Sequence, residues 1–466
     1  MPPKFGTSGL RGLVIELTPD LVAAHVRAFL SACPHGGAVH VGQDLRPSSP
    51  ELAAAVIAAV RAAGLTAVDA GAVPTPALAL SAMRAGHAAI MVTGSHIPAD
   101  RNGLKFYVPS GEISKADEAR ILDALAAPAP DAAEPGALVD DPDCAAAYGA
   151  RYVAAFGGAA LAGLRIGIYE HSSVARDILH RVFGALGAET VGLARSEVFI
   201  PVDTEAVEPE TRADLARWAA AERLDAIVST DGDADRPMLA DAAGAIVPGD
   251  RTGPLTARFL GARTVCTPVS SNTLIEATGA FERVERTRIG SPFVIAAMEA
   301  ALAADPAARV AGYEANGGFL LGFAAAAPAG ELAPLMTRDA LLPLIAPLAE
   351  ARARGMALAD LVADLPARFT AADRIAGIVP EAAAAFLDRL IADPAARAAF
   401  FAAGGAEAAV DLTDGLRVRF AGGEVVHLRP SGNAPEFRVY AEAASAARAE
   451  ALLAGHLARL AAELGG

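Results

Sequence analysis

The sequence predicts an α/β protein: three similar mixed-sheet α/β domains plus a smaller C-terminal α+β domain, four domains around a central cleft. Three observations carry that prediction. The chain has 466 residues, several times what one compact domain needs. Short β-rich runs alternate with helical stretches in three successive rounds, the rhythm of βαβ units. The last hundred residues change to alternating strands closed by one helix, the pattern of an antiparallel sheet with one covered face.

The first round consists of Val39–Gly42, a helix from about Pro50 to Ala63, Thr66–Ala70 and Ala88–Val92. The second opens at Leu164–Tyr169, passes through a helix near Val174–Leu186 and reaches Asp225–Ser229; the third runs from Arg263–Cys266 past Val310–Tyr313. Between the first two, Ala127 to Asp143 is rich in Ala, Pro and Asp and reads as a linker. The final module is expected to pair Gly415–Phe420, Val425–Leu428 and Phe437–Tyr440 through a Gly422-Gly423 turn, with a helix from about Ala446 to Leu464. The expected domains are residues 1–143, 144–250, 251–366 and 367–466.

Composition narrows the function. With 53% hydrophobic and 20% charged residues the chain is an ordinary globular one, and a formal net charge of −15 would repel nucleic acid and anionic membranes at long range. Cys33, Cys144 and Cys266 stand far apart, which suggests neither a disulfide framework nor a zinc site. The opening Met1–Gly6 lacks a signal pattern, and no run of about 18 apolar residues occurs. A cytoplasmic protein is expected, monomeric or weakly dimeric, with a small-molecule substrate and no nucleic-acid or membrane partner.

Four strand-end loops carry unusual chemistry, and in open α/β sheets ligands gather at such ends. The run Ala88–Val92 leads into Thr93-Gly94-Ser95-His96-Ile97-Pro98, where Gly94 and Pro98 hold Ser95 on a constrained turn as a candidate nucleophile. Thr93 and Ile97 occupy both glycine positions of a G-x-S-x-G elbow, which argues against a serine hydrolase. Asn102-Gly103 reads as a tight turn that swings Lys105, a candidate proton shuttle, back toward Ser95.

After the apolar run Ala226–Val228 come Asp231, Asp233 and Asp235, three carboxylates at every second residue, followed by Arg236. Hard oxygen ligands in this pattern suit Mg²⁺, and without a cation they would repel one another. A calcium loop is excluded because Arg236 and Ala242 stand where glycine and a bidentate glutamate are required. An open coordination position would accept a phosphoryl oxygen on Ser95, with Arg236 as a further cationic contact. Glu314 and Asn316, on a glycine-rich bend, can accept from and donate to neighbouring sugar hydroxyls. Arg429, Ser431 and Asn433, with Arg438 beyond them, form a natural nest for a phosphate dianion. Each loop taken singly also fits a structural turn.

Together these loops resemble the α-D-phosphohexomutase family, along with Lys4-Phe5-Gly6-Thr7-Ser8-Gly9-Leu10-Arg11-Gly12, which is similar to the family's opening motif. The resemblance runs nearly end to end. It implies that Ser95 is a phosphoserine, that Asp231, Asp233 and Asp235 bind Mg²⁺ with a Ser95 oxygen, and that Arg11 and Arg236 contact the moving phosphoryl. Lys105 would be the general acid/base, assisted by His96. Glu314 and Asn316 would hold sugar hydroxyls, with Arg429, Ser431, Asn433 and Arg438 around the stationary phosphate. The implied reaction interconverts mannose 6-phosphate and mannose 1-phosphate, and also glucose phosphates, with hexose 1,6-bisphosphate as intermediate and activator. Phosphoglucomutase, phosphoglucosamine mutase, a Mg²⁺-dependent phosphatase and a non-catalytic sugar-phosphate-binding protein are the alternatives. Two departures are visible: Arg288 and Ser291 stand where some members carry lysine or histidine, and Gly317-Gly318 closes the sugar loop without a histidine.

Overall fold

The computed structural model describes residues 3–6, 9–127, 134–430 and 436–465. They fall into two compact units, residues 1–265 with 290–362 and residues 266–289 with 363–466. Among the described residues no helix is long and apolar enough to cross a membrane.

In the first unit one sheet contains β1 (Lys4–Phe5), β2 (Leu10–Leu13), β3 (Ala38–Gln43), β4 (Thr66–Ala72), β5 (Ala88–Val92), β6 (Arg101–Val108), β7 (Gly111–Glu112) and β8 (Leu138–Asp140). Its order is β1-β2-β6-β5-β3-β4-β8, with β7 on β6. The strands β5-β3-β4-β8 are parallel, whereas β1-β2-β6-β5 are antiparallel, the mixed sheet predicted. The helix Pro19–Ala32 presents Val22, Val26 and Phe29 at helical spacing, and these join Val56 and Val60 of the helix Ser49–Ala62 and Val39, Val41, Ile90 and Val92 of the sheet in one buried core. Thr18 caps that first helix by accepting from Leu21 N at 3.3 Å, with Pro19 in its first turn.

Two expectations are corrected in this sheet. Asn102-Gly103 is not a turn: both residues lie inside β6, paired with Gly12 and Arg11 of β2. The turn chemistry of the dipeptide yields to ladder pairing with β2, and Lys105 is placed by its register opposite Met91 of β5. Within the expected linker, Leu138–Asp140 forms the edge strand β8, parallel to β4, with exposed side chains. Its three residues bury no apolar face, so alternation gave no signal.

The second sheet of this unit contains β9 (Arg165–His171), β10 (Glu189–Arg195), β11 (Ala226–Thr230), β12 (Pro237–Asp241) and β13 (Ile246–Val247), in the order β10-β9-β11-β12-β13. Its first three strands are parallel and the rest antiparallel. A further antiparallel set joins Val310–Tyr313, Phe319–Leu321 and Leu335–Asp339.

The second unit is built on an antiparallel sheet in the order Phe369–Ala376, Glu436–Ala443, Val425–Pro430, Leu416–Phe420, Glu407–Asp411. Phe386, Leu390, Phe400 and Phe401 pack against Val418, Phe420, Val426, Leu428, Phe437 and Val439. The closing helix, Ala446–Leu464, starts at a Ser445 cap and stops at Gly465 in the left-handed region.

One rule places the chemistry. The Ser95 loop joins the antiparallel neighbours β5 and β6, the Asp231 loop joins β11 and β12, and the Glu314 loop joins Val310–Tyr313 and Phe319–Leu321. In the second unit, Arg429 likewise lies at the end of a strand paired antiparallel with Glu436–Ala443. Each of the first three loops is thus a hairpin connection anchored on two buried strands.

Candidate active site

Ser95 is 1% exposed and holds a φ of 54°, a left-handed conformation uncommon for a residue with a Cβ. Its amide donates to Thr93 Oγ1 at 2.7 Å, and Thr93 Oγ1 in turn donates to Asp44 Oδ2 at 2.7 Å. The hydroxyl donates to Asp231 Oδ2 at 2.5 Å and stands 3.3 Å from His96 Nδ1. A serine from one sheet and a carboxylate from the next are therefore joined directly.

Asp231, Asp233 and Asp235 are all buried, and their ligand oxygens lie within 4.8 Å of one another. Thr75 Oγ1 donates to Asp233 Oδ2 at 2.5 Å, and Lys105 Nζ donates at 2.5 Å to both Asp233 Oδ2 and Asp235 Oδ2. Arg338 Nη2 adds a contact of 2.7 Å to Asp235 Oδ2. Burial, then Asp233 and Asp235, pushes the Asp231 carboxyl well above the usual carboxylate range. Asp235 moves the other way: burial opposes its charge, but Arg338, Lys105 and Arg236 hold it well below that range. Asp233 Oδ1 and Asp235 Oδ1 are buried with no hydrogen-bond partner among the described residues. Three buried carboxylates close together, two of them with an oxygen that has no hydrogen-bond partner among the described residues, form a hard oxygen donor set that fits Mg²⁺.

Cationic groups surround the same point. Arg236 Nε stands 3.9 Å from Asp235 Oδ1. Burial, then the charges of Arg236 and Arg338, pulls the Arg11 guanidinium down to about 10. Arg236, then burial, then Arg11 drives the His96 imidazole far below its ordinary value, so it is neutral near pH 7. Arginines crowded closely enough to pull down the Arg11 guanidinium and the His96 imidazole suit a polyanionic guest such as a phosphoryl group.

Glu314 is buried, and its Oε2 lies 3.5 Å from Arg338 Nη1, so Arg338 ties the Glu314 loop to the aspartate loop. Asn316 is also buried; its Oδ1 accepts from Gly318 N at 3.0 Å and its carbonyl from Thr204 Oγ1 at 2.9 Å. Ser291 donates to Glu112 Oε2 at 2.7 Å, and Thr337 Oγ1 donates to Glu112 Oε1 at 2.9 Å.

The first unit thus brings together Arg11, Ser95, His96, Lys105, the three aspartates, Arg236, Glu314 and Asn316. The second unit holds Arg288, Arg429 and Arg438. There Asp414 links two loops, with Oδ2 accepting from Ile289 N at 2.9 Å and Oδ1 standing 3.1 Å from Arg429 Nε. Arg438 Nη2 reaches Glu436 Oε2 at 3.4 Å. Ser431 and Asn433 lie outside the described residues. Sequence reasoning missed Asp44, Arg46, Thr75, Glu112, Arg338 and Asp414. For Asp44 and Arg46 the signal was present, because both follow β3 at its carboxyl end, as Ser95 follows β5.

Family models match the chain from end to end: phosphoglucomutase/phosphomannomutase alpha/beta/alpha domain I over residues 2–130, domain II over 150–244, domain III over 248–369 and the C-terminal domain over 358–456. The chain belongs to the phosphoglucomutase/phosphomannomutase family. It is 46% identical to a phosphomannomutase of Sinorhizobium fredii over 99% of both chains, and 44% identical to one of Salmonella muenchen over 95% of this chain and 92% of the other. Its fold matches a phosphoglucomutase/phosphomannomutase family protein of Burkholderia thailandensis with a TM-score of 0.76 at 23% identity, covering 99% of this chain and 98% of that one. Membership in this family makes the chain an enzyme, an intramolecular phosphotransferase of hexose phosphates.

Proposed function

We propose that the protein interconverts mannose 6-phosphate and mannose 1-phosphate, with glucose phosphates as further substrates, through phospho-Ser95 and a hexose 1,6-bisphosphate intermediate. The observation that carries this reading is the 2.5 Å contact between Ser95 Oγ and Asp231 within the three-aspartate cluster. The two phosphomannomutases at 44% and 46% identity favour mannose. The reading assigns one loop to each of four domains, residues 1–143, 144–250, 251–366 and 367–466, in a monomer or weak homodimer.

Phospho-Ser95 gives its phosphoryl to the free sugar hydroxyl: the bond from phosphorus to Oγ breaks and one to the sugar oxygen forms. Lys105 gives a proton to the departing Ser95 Oγ and takes up the sugar hydroxyl's proton in exchange, with the neutral His96 beside it, and the bisphosphate then reorients so that Ser95 takes back the other phosphoryl. Arg11 and Arg236 steady the moving group, Glu314 and Asn316 hold sugar hydroxyls, and Arg288, Arg429, Ser431, Asn433 and Arg438 receive the stationary phosphate. Mg²⁺ bound by Asp231, Asp233, Asp235 and a Ser95 oxygen supplies charge neutralisation at the transferring group.

The test is a coupled assay with Mg²⁺ and a trace of hexose 1,6-bisphosphate on mannose, glucose and glucosamine 1-phosphates, with free phosphate followed in parallel. Isomerisation fastest with mannose and no phosphate release is expected. Release of phosphate in place of isomerisation identifies a phosphatase, and a faster glucosamine reaction replaces the mannose assignment.

A further inference from the structure

Arg46 stands in the loop after β3, and the Ser95 loop is wound around its guanidinium. Nη2 donates to the carbonyls of Ser95 at 2.9 Å and Ile97 at 2.6 Å, and Nη1 to those of Pro98 at 2.7 Å and Arg101 at 2.9 Å. Nε donates to Asp44 Oδ2 at 3.2 Å. All three nitrogens of the planar fork are engaged, a set that the point charge of a lysine cannot reproduce.

The surroundings are shaped to this one side chain, which is 1% exposed. A Cβ on Gly94 would stand 2.6 Å from Arg46 Cζ, so glycine is what allows the loop to close over the guanidinium. Phe199 covers it with the ring centroid 4.1 Å from Cζ. Asp44 completes the frame: its Oδ1 accepts from Ser49 Oγ at 2.5 Å and Arg46 N at 3.1 Å. The carbonyl of Ser95 therefore ends on Arg46, and its amide ends on Asp44 by way of Thr93. The left-handed region is disfavoured for a residue with a Cβ, and these bonds are what fix Ser95 there.

We propose that Arg46 is a positioning residue for phosphoryl transfer: it holds Ser95 in the left-handed conformation that aims Oγ at Asp231. This rests on the reading of Ser95 as the phosphoryl carrier. Arg46 acts entirely through the loop, so its loss slows the chemical step and leaves hexose phosphate affinity intact. A purely structural arginine would instead lower stability, with unchanged kcat in the folded fraction.

The experiment compares wild type, Arg46→Lys, Arg46→Ala and Ser95→Ala for folding by near-UV circular dichroism, for kcat and KM, and for phosphorylation of Ser95 by hexose 1,6-bisphosphate followed by intact-protein mass. Arg46→Lys is expected to fold, to lose about 10- to 100-fold in kcat with KM within about twofold, and to phosphorylate Ser95 proportionately more slowly. Added guanidinium is expected to restore part of the rate to a folded Arg46→Ala; if that variant does not fold, Arg46→Lys decides. Wild-type kcat in Arg46→Lys, or a loss confined to KM or to stability, overturns the proposal. Turnover by wild type with no phosphorylation of Ser95 overturns the underlying reading, whatever the Arg46 variants do.

Discussion

Ser95 Oγ and Asp231 Oδ2 are 2.5 Å apart although 136 residues separate them along the chain. Neither sheet alone forms this pair: β5 delivers the hydroxyl and β11 the carboxylate, each from the end of a fully buried strand. Their meeting places a nucleophile beside the donor set that fits a divalent cation.

Replacing Ser95 with alanine removes that nucleophile while leaving the loop's frame of Asp44, Arg46 and Thr93 in place. Turnover is expected to fall by about 10³-fold or more with hexose phosphate binding largely retained. Steady-state kinetics and calorimetric titration check this; near-normal turnover contradicts the assignment.

Asp233→Asn keeps the shape of the side chain but removes a charge from the cluster shared by Lys105 and Thr75. Apparent Mg²⁺ affinity and kcat are expected to drop together, by about 100-fold at sub-saturating metal. A Mg²⁺ titration of activity measures both, and a wild-type metal dependence rules Asp233 out as a ligand. Chelation of Mg²⁺ is expected to silence the wild-type enzyme.

In the second unit, Asp414→Ala frees Arg429 and the Ile289 amide at once. A partly exposed pair of this kind is worth about 1 kcal/mol, so KM for hexose phosphate is expected to rise roughly fivefold with a smaller change in kcat. An unchanged KM shows that Asp414 does not order the Arg429 loop.

Stability is expected to fall on acidification through two buried histidines. Burial pulls both His171 and His427 down to about 4, although each donates from Nε2 to a backbone carbonyl, of Thr230 and Asp414 respectively. Their Nδ1 atoms are buried without a partner among the described residues, so a second proton there is unwelcome. The unfolded chain takes up protons below about 6.5, whereas the folded one resists until about 4. Stability is therefore full above pH 6.5, declines between 6.5 and 4 and levels off below. The gap corresponds to roughly 3 to 4 kcal/mol per histidine. Urea unfolding from pH 7 to 5 checks the slope, and His427→Gln is expected to flatten it.

Much of this was legible in the sequence because the strands under the chemistry are short, buried and bounded by Gly, Pro and Asp. Ala88–Val92 and the helix Ala446–Leu464 lie where periodicity puts them. The Ser95 and aspartate loops were readable from residue type alone. Asn102-Gly103 misled because pairing with β2 overrode a local turn preference, and β8 escaped because three exposed residues carry no alternation. Arg338 was invisible for another reason: its partners are carboxylates of other loops brought close only by tertiary packing, which spacing along one chain does not encode.

The most direct test of the mutase mechanism is the intact mass and peptide map of the protein after exposure to hexose 1,6-bisphosphate and Mg²⁺, followed by a chase with mannose 1-phosphate. One phosphoryl group is expected on Ser95, and the chase should move it to sugar as fast as kcat without release of free phosphate. A protein that turns over at full rate with Ser95 never phosphorylated contradicts the mechanism.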